Sequence, residues 1–151
     1  MPASQDWDRY HRMTDALAGA VRKIRDNDPA GLELAVAYLV QRPRFFGSGY
    51  VFEEVAAAVA IGPDAGTMAR DIRELVLREA RRPREREMRY VARLAGRYWN
   101  DSLMAGLAAI PGPTARFIIE RAQQVRSSYL GIGLIGPDAS PTAPSRRRGS
   151  K

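Results

Sequence analysis

Apolar residues recur at intervals of three and four along most of this 151-residue chain, which is the period of an α-helix. No run of alternating β-branched residues bounded by turns occurs, so the pattern predicts no strand. Proline and glycine interrupt the periodic segments and mark their ends. The sequence therefore predicts an all-α fold of six or seven helices, at about 6–27, 29–40, 50–61, 64–81, 84–98, 100–110 and 114–130.

The second and third predicted helices form the expected centre of the fold. The second is apolar on nearly every side, which is typical of a buried helix, and the third is rich in small residues after Glu53 and Glu54. Of these two glutamates, we expect Glu54 to point inward and pair with an arginine. The segment that joins the two helices carries four aromatic residues, Phe45, Phe46, Tyr50 and Phe52. We predict that they form an aromatic corner that closes this central hairpin.

Helix starts near Pro29, Asp64 and Asn100 lie about 35 residues apart, and each opens a pair of helices. This spacing is typical of helical-repeat arrays, although the repeated segments resemble one another poorly. Two architectures therefore stay open, a short repeat-like stack of helix pairs and an irregular bundle.

The composition predicts a domain boundary and a cellular location. Residues 1–136 suit one helical domain, whereas 137–151 have no apolar side chain larger than alanine or proline and predict a disordered basic tail. There is no cysteine, and no apolar run reaches the ~20 residues of a membrane span. The N-terminus has neither the basic head nor the apolar run of a secretory signal. We expect a soluble cytoplasmic protein.

The net charge of +7 is unevenly distributed. Residues 70–97 hold ten basic and five acidic residues, and the tail holds four basic residues and one acidic residue. Arg86, Arg89, Arg93 and Arg97 recur at helical spacing on one arc, and Tyr90 falls inside it. If helices four and five form a hairpin, their arginines could merge into one surface, which would comprise Arg70, Arg73, Arg81, Arg82, Arg84, Arg86, Arg89, Tyr90, Arg93 and Arg97.

Three interpretations of this arginine-rich surface stay open. Arginines interleaved with a tyrosine suit the phosphates and bases of nucleic acid, and they suit an acidic protein surface equally well. Glutamates are interspersed, however, and the pairs Glu74–Arg78 and Glu85–Arg89 have the i,i+4 spacing of helical ion pairs. The third interpretation is therefore a solvated face whose charges neutralise one another.

Other motifs carry little chemistry. Gly47, Ser48 and Gly49 precede a helix and form a weak candidate anion site, although a tight turn explains them as well. The segment 131–136 matches GxGxxG literally, but a helix precedes it and a proline-rich tail follows it, so we reject a dinucleotide site. His11 is the single histidine, and it can form neither a multi-histidine metal site nor an evident triad.

The sequence thus favours a non-catalytic helical interaction module, an adaptor or scaffold, that presents an arginine-rich face to an acidic partner protein. The alternative is a nucleic-acid-binding protein that uses the basic face of residues 64–98 together with the tail. We predict no enzyme activity, no cofactor, no metal, no small-molecule substrate and no membrane partner.

Overall fold

The computed structural model describes residues 2–44 and 47–133, with side chains for residue 9, 11–44 and 47–127. This part of the chain contains no strand, so the all-α prediction is confirmed. Short 3-10 turns at Pro29–Gly31 and Gly66–Met68 lead into the second and fourth helices. The seven helices are α1 (Pro2–Arg25), α2 (Leu32–Gln41), α3 (Ser48–Ile61), α4 (Ala69–Ala80), α5 (Met88–Arg97), α6 (Asp101–Ala108) and α7 (Pro113–Gly133).

Polar side chains fix the start of several helical segments. Asp28 precedes Pro29, and its Oδ1 accepts a hydrogen bond from the Ala30 N–H at 2.9 Å. Asn100 caps α6 by accepting from the Leu103 N–H at 2.7 Å. These caps satisfy backbone donors that have no partner within the helix, so the helix starts are encoded locally.

The helices pack in two layers. The principal contacts in one layer run from α1 to α3, from α3 to α5 and from α5 to α7, and those in the other run from α2 to α4 and from α4 to α6. Between the layers, α2 packs on α3, α4 on α5 and α6 on α7. This order, in which each helix contacts those nearest to it along the chain, is that of a stack of helix pairs. Of the two predicted architectures, the repeat-like stack describes the molecule better.

The most enclosed helix is α5 rather than α2. It is covered by α3 on one side, α7 on the other and α4 from the second layer. Met88, Val91, Leu94 and Ala95 are fully buried. Gly96 lets α7 approach, because a Cβ there would lie 2.9 Å from Cγ1 of Val125. Most of the circumference of α5 is therefore core.

The centre of the fold differs from the prediction at α2. This helix packs against α3 as expected, but Leu34 and Val40 are 44% and 38% exposed. An apolar sequence on all sides predicted a fully enclosed helix, yet α2 lies in the outer part of its layer with one face in solvent.

The aromatic corner is confirmed at one of its four residues. Phe52 is buried, with 1% of its surface exposed, whereas Tyr50 is 66% exposed, so the prediction was wrong for Tyr50. The two residues are two positions apart on α3 and therefore point about 200° apart. Phe45 and Phe46 lie outside the described residues, as do 134–151, which include the predicted tail.

Candidate binding surface

A buried carboxylate in the last turn of α4 organises the charges around it. The side chain of Glu79 has no exposed surface. Its Oε1 lies 3.5 Å from Nε of Arg42 and 3.2 Å from Nε of Arg82, as ion pairs rather than aligned hydrogen bonds. Its Oε2 accepts from Nη2 of Arg78 at 3.0 Å. Such a site is tolerated because several cations offset the cost of removing the carboxylate from water.

Arg42 connects Glu79 to the loop before α5. Its side chain is 8% exposed, and its Nη2 lies 3.0 Å from Oε1 of Glu87 and 3.5 Å from Oε1 of Glu85. Its guanidinium also lies over the ring of Phe52, 4.2 Å from the centroid. Arg82 adds a contact of 3.1 Å to Glu85. We call the following six residues the Arg42 cluster: Arg42, Arg78, Glu79, Arg82, Glu85 and Glu87.

The Arg42 cluster also closes the end of α2. Arg42 has left-handed backbone geometry, with φ of 45°, and its N–H donates to the carbonyl of Tyr38. Arg78 donates to the carbonyls of Leu39 and Val40. These cationic donors satisfy carbonyls that the helix itself leaves unpaired, and they compensate the negative end of its dipole. The cluster thus ties α2, α4 and the loop before α5 together.

Three glutamates contact Arg42, and three of the neighbouring arginines have no acidic partner among the described residues. Among the residues that the structure describes, no carboxylate lies within the 4.0 Å ion-pair distance of Arg84, Arg89 or Arg93. The sequence-predicted pair Glu85–Arg89 does not form, since Glu85 contacts Arg42 and Arg82 instead. The self-neutralised arrangement thus describes Arg70, Arg82 and Arg86, each of which has a carboxylate partner, and not Arg84, Arg89 and Arg93.

The predicted pair Glu74–Arg78 does not form either. Glu74 contacts Arg70 at 3.4 Å on the surface of α4, and Arg78 turns to Glu79. An acidic residue three or four positions away on a helix is thus no guarantee of an ion pair where a buried carboxylate competes for the arginine.

The outward arginines lie on aromatic rings. The guanidinium of Arg84 lies 4.1 Å from the ring centroid of Phe117 on α7. Those of Arg89 and Arg93 lie 5.1 and 5.4 Å from the centroid of Tyr90. Contacts of this kind hold a guanidinium flat on the ring and leave N–H groups at its edge for a ligand.

Arg86 is held by α3. Its Nη2 donates to Oε2 of Glu53 at 2.6 Å, and its guanidinium lies 4.4 Å from the ring centroid of Tyr50. The hydrogen bond with Tyr50, followed by the attraction of Glu53, raises the pKa of Arg86 above its usual value. The inward-facing glutamate of the pair is therefore Glu53, which is buried, while Glu54 is exposed, and the prediction for Glu54 was wrong.

A groove opens among these side chains. It has a volume of about 450 Å³ and is lined by Arg84, Glu85, Arg86, Arg89 and Phe117, which we call the arginine groove. Tyr90 and Arg93 continue the basic surface along α5. We call the outward-facing set the arginine surface, and it consists of Arg84, Arg86, Arg89, Tyr90, Arg93 and Phe117.

The structure does not bring the other predicted arginines to this surface. Arg82 belongs to the Arg42 cluster. Arg73 donates to the carbonyl of Tyr98 at 2.6 Å, and Arg97 donates to the carbonyl of Ala60 at 2.9 Å, so both are engaged in holding helix ends. Arg70 lies on α4 and pairs with Glu74, and Arg81, which caps the end of α4, lines a separate pocket beside Gly106 of α6. These five arginines of the predicted set therefore have contacts of their own.

The glycine-rich segment before α3 favours the turn interpretation. Gly47 has φ of 81°, and its carbonyl accepts from the N–H groups of Tyr50 and Val51. A Cβ at Gly49 would lie 3.7 Å from Cδ of Glu87, so a carboxylate lies beside Gly49 at the start of α3. Arg42, which precedes Gly47 by five residues, is paired with that same glutamate.

Sequence reasoning missed the Arg42 cluster and Phe117. Glu79 could have been found, because it follows Ile72 by seven residues and Leu75 by four and therefore lies on the apolar stripe of α4. The contact between Arg84 and Phe117 joins residues 33 positions apart, so no local sequence pattern predicts it.

The remaining motifs are placed as follows. Gly131, Ile132 and Gly133 lie within α7, so the literal GxGxxG match has no strand before it, and residues 134–136 lie outside the described part. Within the described residues, no group of three or more His, Asp or Glu side chains could hold a metal ion. No described helix combines the length and the apolarity that crossing a membrane requires.

Comparison with family models, curated proteins and solved structures found no match to this chain.

Proposed function

We propose that this protein is a non-catalytic helical interaction module, an adaptor or scaffold, that binds an acidic partner protein through the arginine surface. The observation that carries the proposal is the partition of charge between residues 78 and 93. Glu79, Glu85 and Glu87 contact Arg42, while Arg84, Arg89 and Arg93 are exposed and have no carboxylate within ion-pair distance in the part of the chain that the structure describes. The proposal includes a cytoplasmic location, which rests on the sequence alone.

The surroundings of these arginines favour a protein as the partner. Tyr50, which is 66% exposed, lies beside Arg86, and the Phe117 ring forms one wall of the arginine groove. Aromatic residues and arginines are the side chains that most often dominate the energy of protein interfaces. Stacking on rings also orders the arginines before binding, which reduces the entropy lost when the partner docks.

A nucleic-acid partner is the second candidate. It is supported by the alternation of arginines with the rings of Tyr50, Tyr90 and Phe117, since arginine and aromatic side chains together bind phosphates and stack on bases. In this case the basic residues of 137–151 would add to the affinity. Binding would weaken steeply as the salt concentration rises.

The test compares charge-reversed variants in a pull-down. The immobilised full-length protein is exposed to a nuclease-treated cell lysate, alongside the double variant Arg89→Glu/Arg93→Glu and the control Arg70→Glu. The control reverses an arginine whose side chain is 85% exposed on the other layer. We expect wild type and control to retain acidic proteins that the double variant loses, while all three unfold at similar temperatures.

The same three proteins are then titrated with a labelled duplex and a labelled single strand at low and at physiological salt. Salt-sensitive binding that the double variant loses, without any arginine-dependent protein partner, would replace the first candidate with the second. Retention of the same proteins by the double variant would contradict both candidates at this surface.

A further inference from the structure

We propose, on the basis of the function proposed above, that the arginine groove receives a phosphorylated side chain of the partner protein. The groove is lined by three arginine side chains, those of Arg84, Arg86 and Arg89. Its volume of about 450 Å³ lies within the range of pockets that enclose small ligands. It is therefore large enough for one anionic group together with the side-chain stem that carries it.

The number of donors in the groove exceeds what a carboxylate can use. A carboxylate has two oxygens and one charge, and a single guanidinium can already engage both oxygens as a fork. A phosphate monoester presents three acceptor oxygens and a charge of about −1.5 to −2 at neutral pH. Three arginines around one space match the phosphate better, and arginine clusters are a recurring means of recognising phosphorylated segments.

The charge of the lining agrees with this assignment. Three positive side chains and one negative side chain, Glu85, line the groove, and Arg86 is also paired with Glu53 at 2.6 Å, so the local excess is one positive charge. Glu85 is itself drawn toward Arg42 and Arg82, which lie at 3.5 and 3.1 Å from its Oε1. An incoming phosphate therefore meets an excess of positive charge and displaces no carboxylate from Arg84 or Arg89.

Two of the three arginines are held in place before any ligand binds. Arg84 lies on the Phe117 ring, and Arg86 is fixed between Glu53 and the Tyr50 ring. The Phe117 ring also provides an apolar wall against which the methylene groups of a phosphorylated side chain can pack. A nucleic acid would instead present a row of phosphodiesters with single charges, whereas the groove gathers Arg84, Arg86 and Arg89 at one place.

The test uses three matched peptides and the full-length protein. The peptides are acetyl-Ala-Ala-X-Ala-Ala-amide with X as phosphoserine, glutamate or serine, and binding is followed by NMR through the side-chain Nε–H signals of Arg84, Arg86 and Arg89. We expect the phosphoserine peptide to shift these signals and to bind about tenfold more tightly than the glutamate peptide. The variants Arg84→Gln and Arg89→Gln should each lose that preference, and the control Arg70→Gln should keep it.

Equal affinity for phosphoserine and glutamate would overturn the phosphate assignment, as would the absence of arginine-dependent shifts with any peptide. Tighter binding of a labelled single-stranded oligonucleotide through the same three arginines would overturn it in favour of nucleic acid. The proposed function is judged separately by the pull-down, whose partners need no phosphate, so each proposal can fail on its own.

Discussion

At the residue scale, Glu79 has the greatest influence on the charges around it. It is a fully buried carboxylate in contact with Arg42, Arg78 and Arg82. A buried ion pair contributes little over a well-packed apolar pair, but removing one partner leaves an uncompensated charge and costs about 3–5 kcal/mol. Neutralising Glu79 would remove the carboxylate that Arg42, Arg78 and Arg82 share, while Arg42 would keep Glu85 and Glu87, so we expect a loss at the low end of this range.

We therefore predict that Glu79→Gln lowers the free energy of unfolding by about 3 kcal/mol, because the amide keeps the shape of the side chain but not its charge. Urea denaturation measures the difference. The matched control is Glu74→Gln, which breaks the pair of Arg70 and Glu74, whose side chains are 85% and 63% exposed. It should change stability by about 1 kcal/mol or less. Equal stabilities for the two variants would show that the Arg42 cluster is not buried as described.

Where the sequence predicted the wrong side chain to face the core, the side chain that does so lies one or two positions away on the same helix. Glu54 was predicted to point inward, yet Glu53 does so, and Tyr50 was predicted to be buried with Phe52, yet it is exposed. Side chains of successive residues on an α-helix point roughly 100° apart, so a small error in the predicted helical phase changes which residue faces the core. The apolar sequence of α3 provides little contrast from which to fix that phase.

At the scale of elements, close approach between α1 and the turn before α2 depends on Gly31. This glycine is buried, and a Cβ added to it would overlap the carbonyl oxygen of Ala20. Its φ of −84° is available to any residue, so the requirement for glycine is steric. Gly19, in the same helix as Ala20, has no atom within 4 Å of the corresponding position.

We predict that Gly31→Ala destabilises the fold by about 1–3 kcal/mol, because α1 and the turn must move apart to admit the methyl group. Gly19→Ala should leave stability unchanged or raise it by up to about 1 kcal/mol, since alanine favours the helix. Thermal unfolding of both variants measures the two predicted changes in stability. A Gly31→Ala protein as stable as Gly19→Ala would contradict the close packing of α1 against this turn.

All seven helices could be predicted from the sequence, but not all of their starts. Predicted helix five begins at residue 84, whereas α5 begins at Met88. The intervening loop is held by Glu85 and Glu87 through their contacts with Arg42. Predicted helix four begins at residue 64, whereas a 3-10 turn at Gly66–Met68 precedes α4. The helix starts at Asp28 and Asn100 could be predicted because capping is a local interaction.

At the scale of the whole molecule, the two-layer stack decides which arginines can act together. Helices α4 and α5 follow each other in sequence but belong to different layers, and Arg70 on α4 pairs with Glu74 of its own helix. The periodicity of each helix correctly placed Arg89 and Arg93 opposite the buried Met88 and Val91. It contains no information on which helices share a layer, so the predicted union of the two arginine sets could not be tested from sequence.

The central claim is that the arginines around residues 78–93 divide into an inward set held by carboxylates and an outward set available to a partner. Hydrogen exchange of the arginine Nε–H groups, measured by NMR on the full-length protein, tests this division directly. The Nε atoms of Arg42 and Arg82 are buried beside Glu79, so we predict that their protons exchange slowly. Those of Arg89 and Arg93 should exchange at close to the rate of free arginine. Equal protection of all four would contradict the division and, with it, the arginine surface as a binding site.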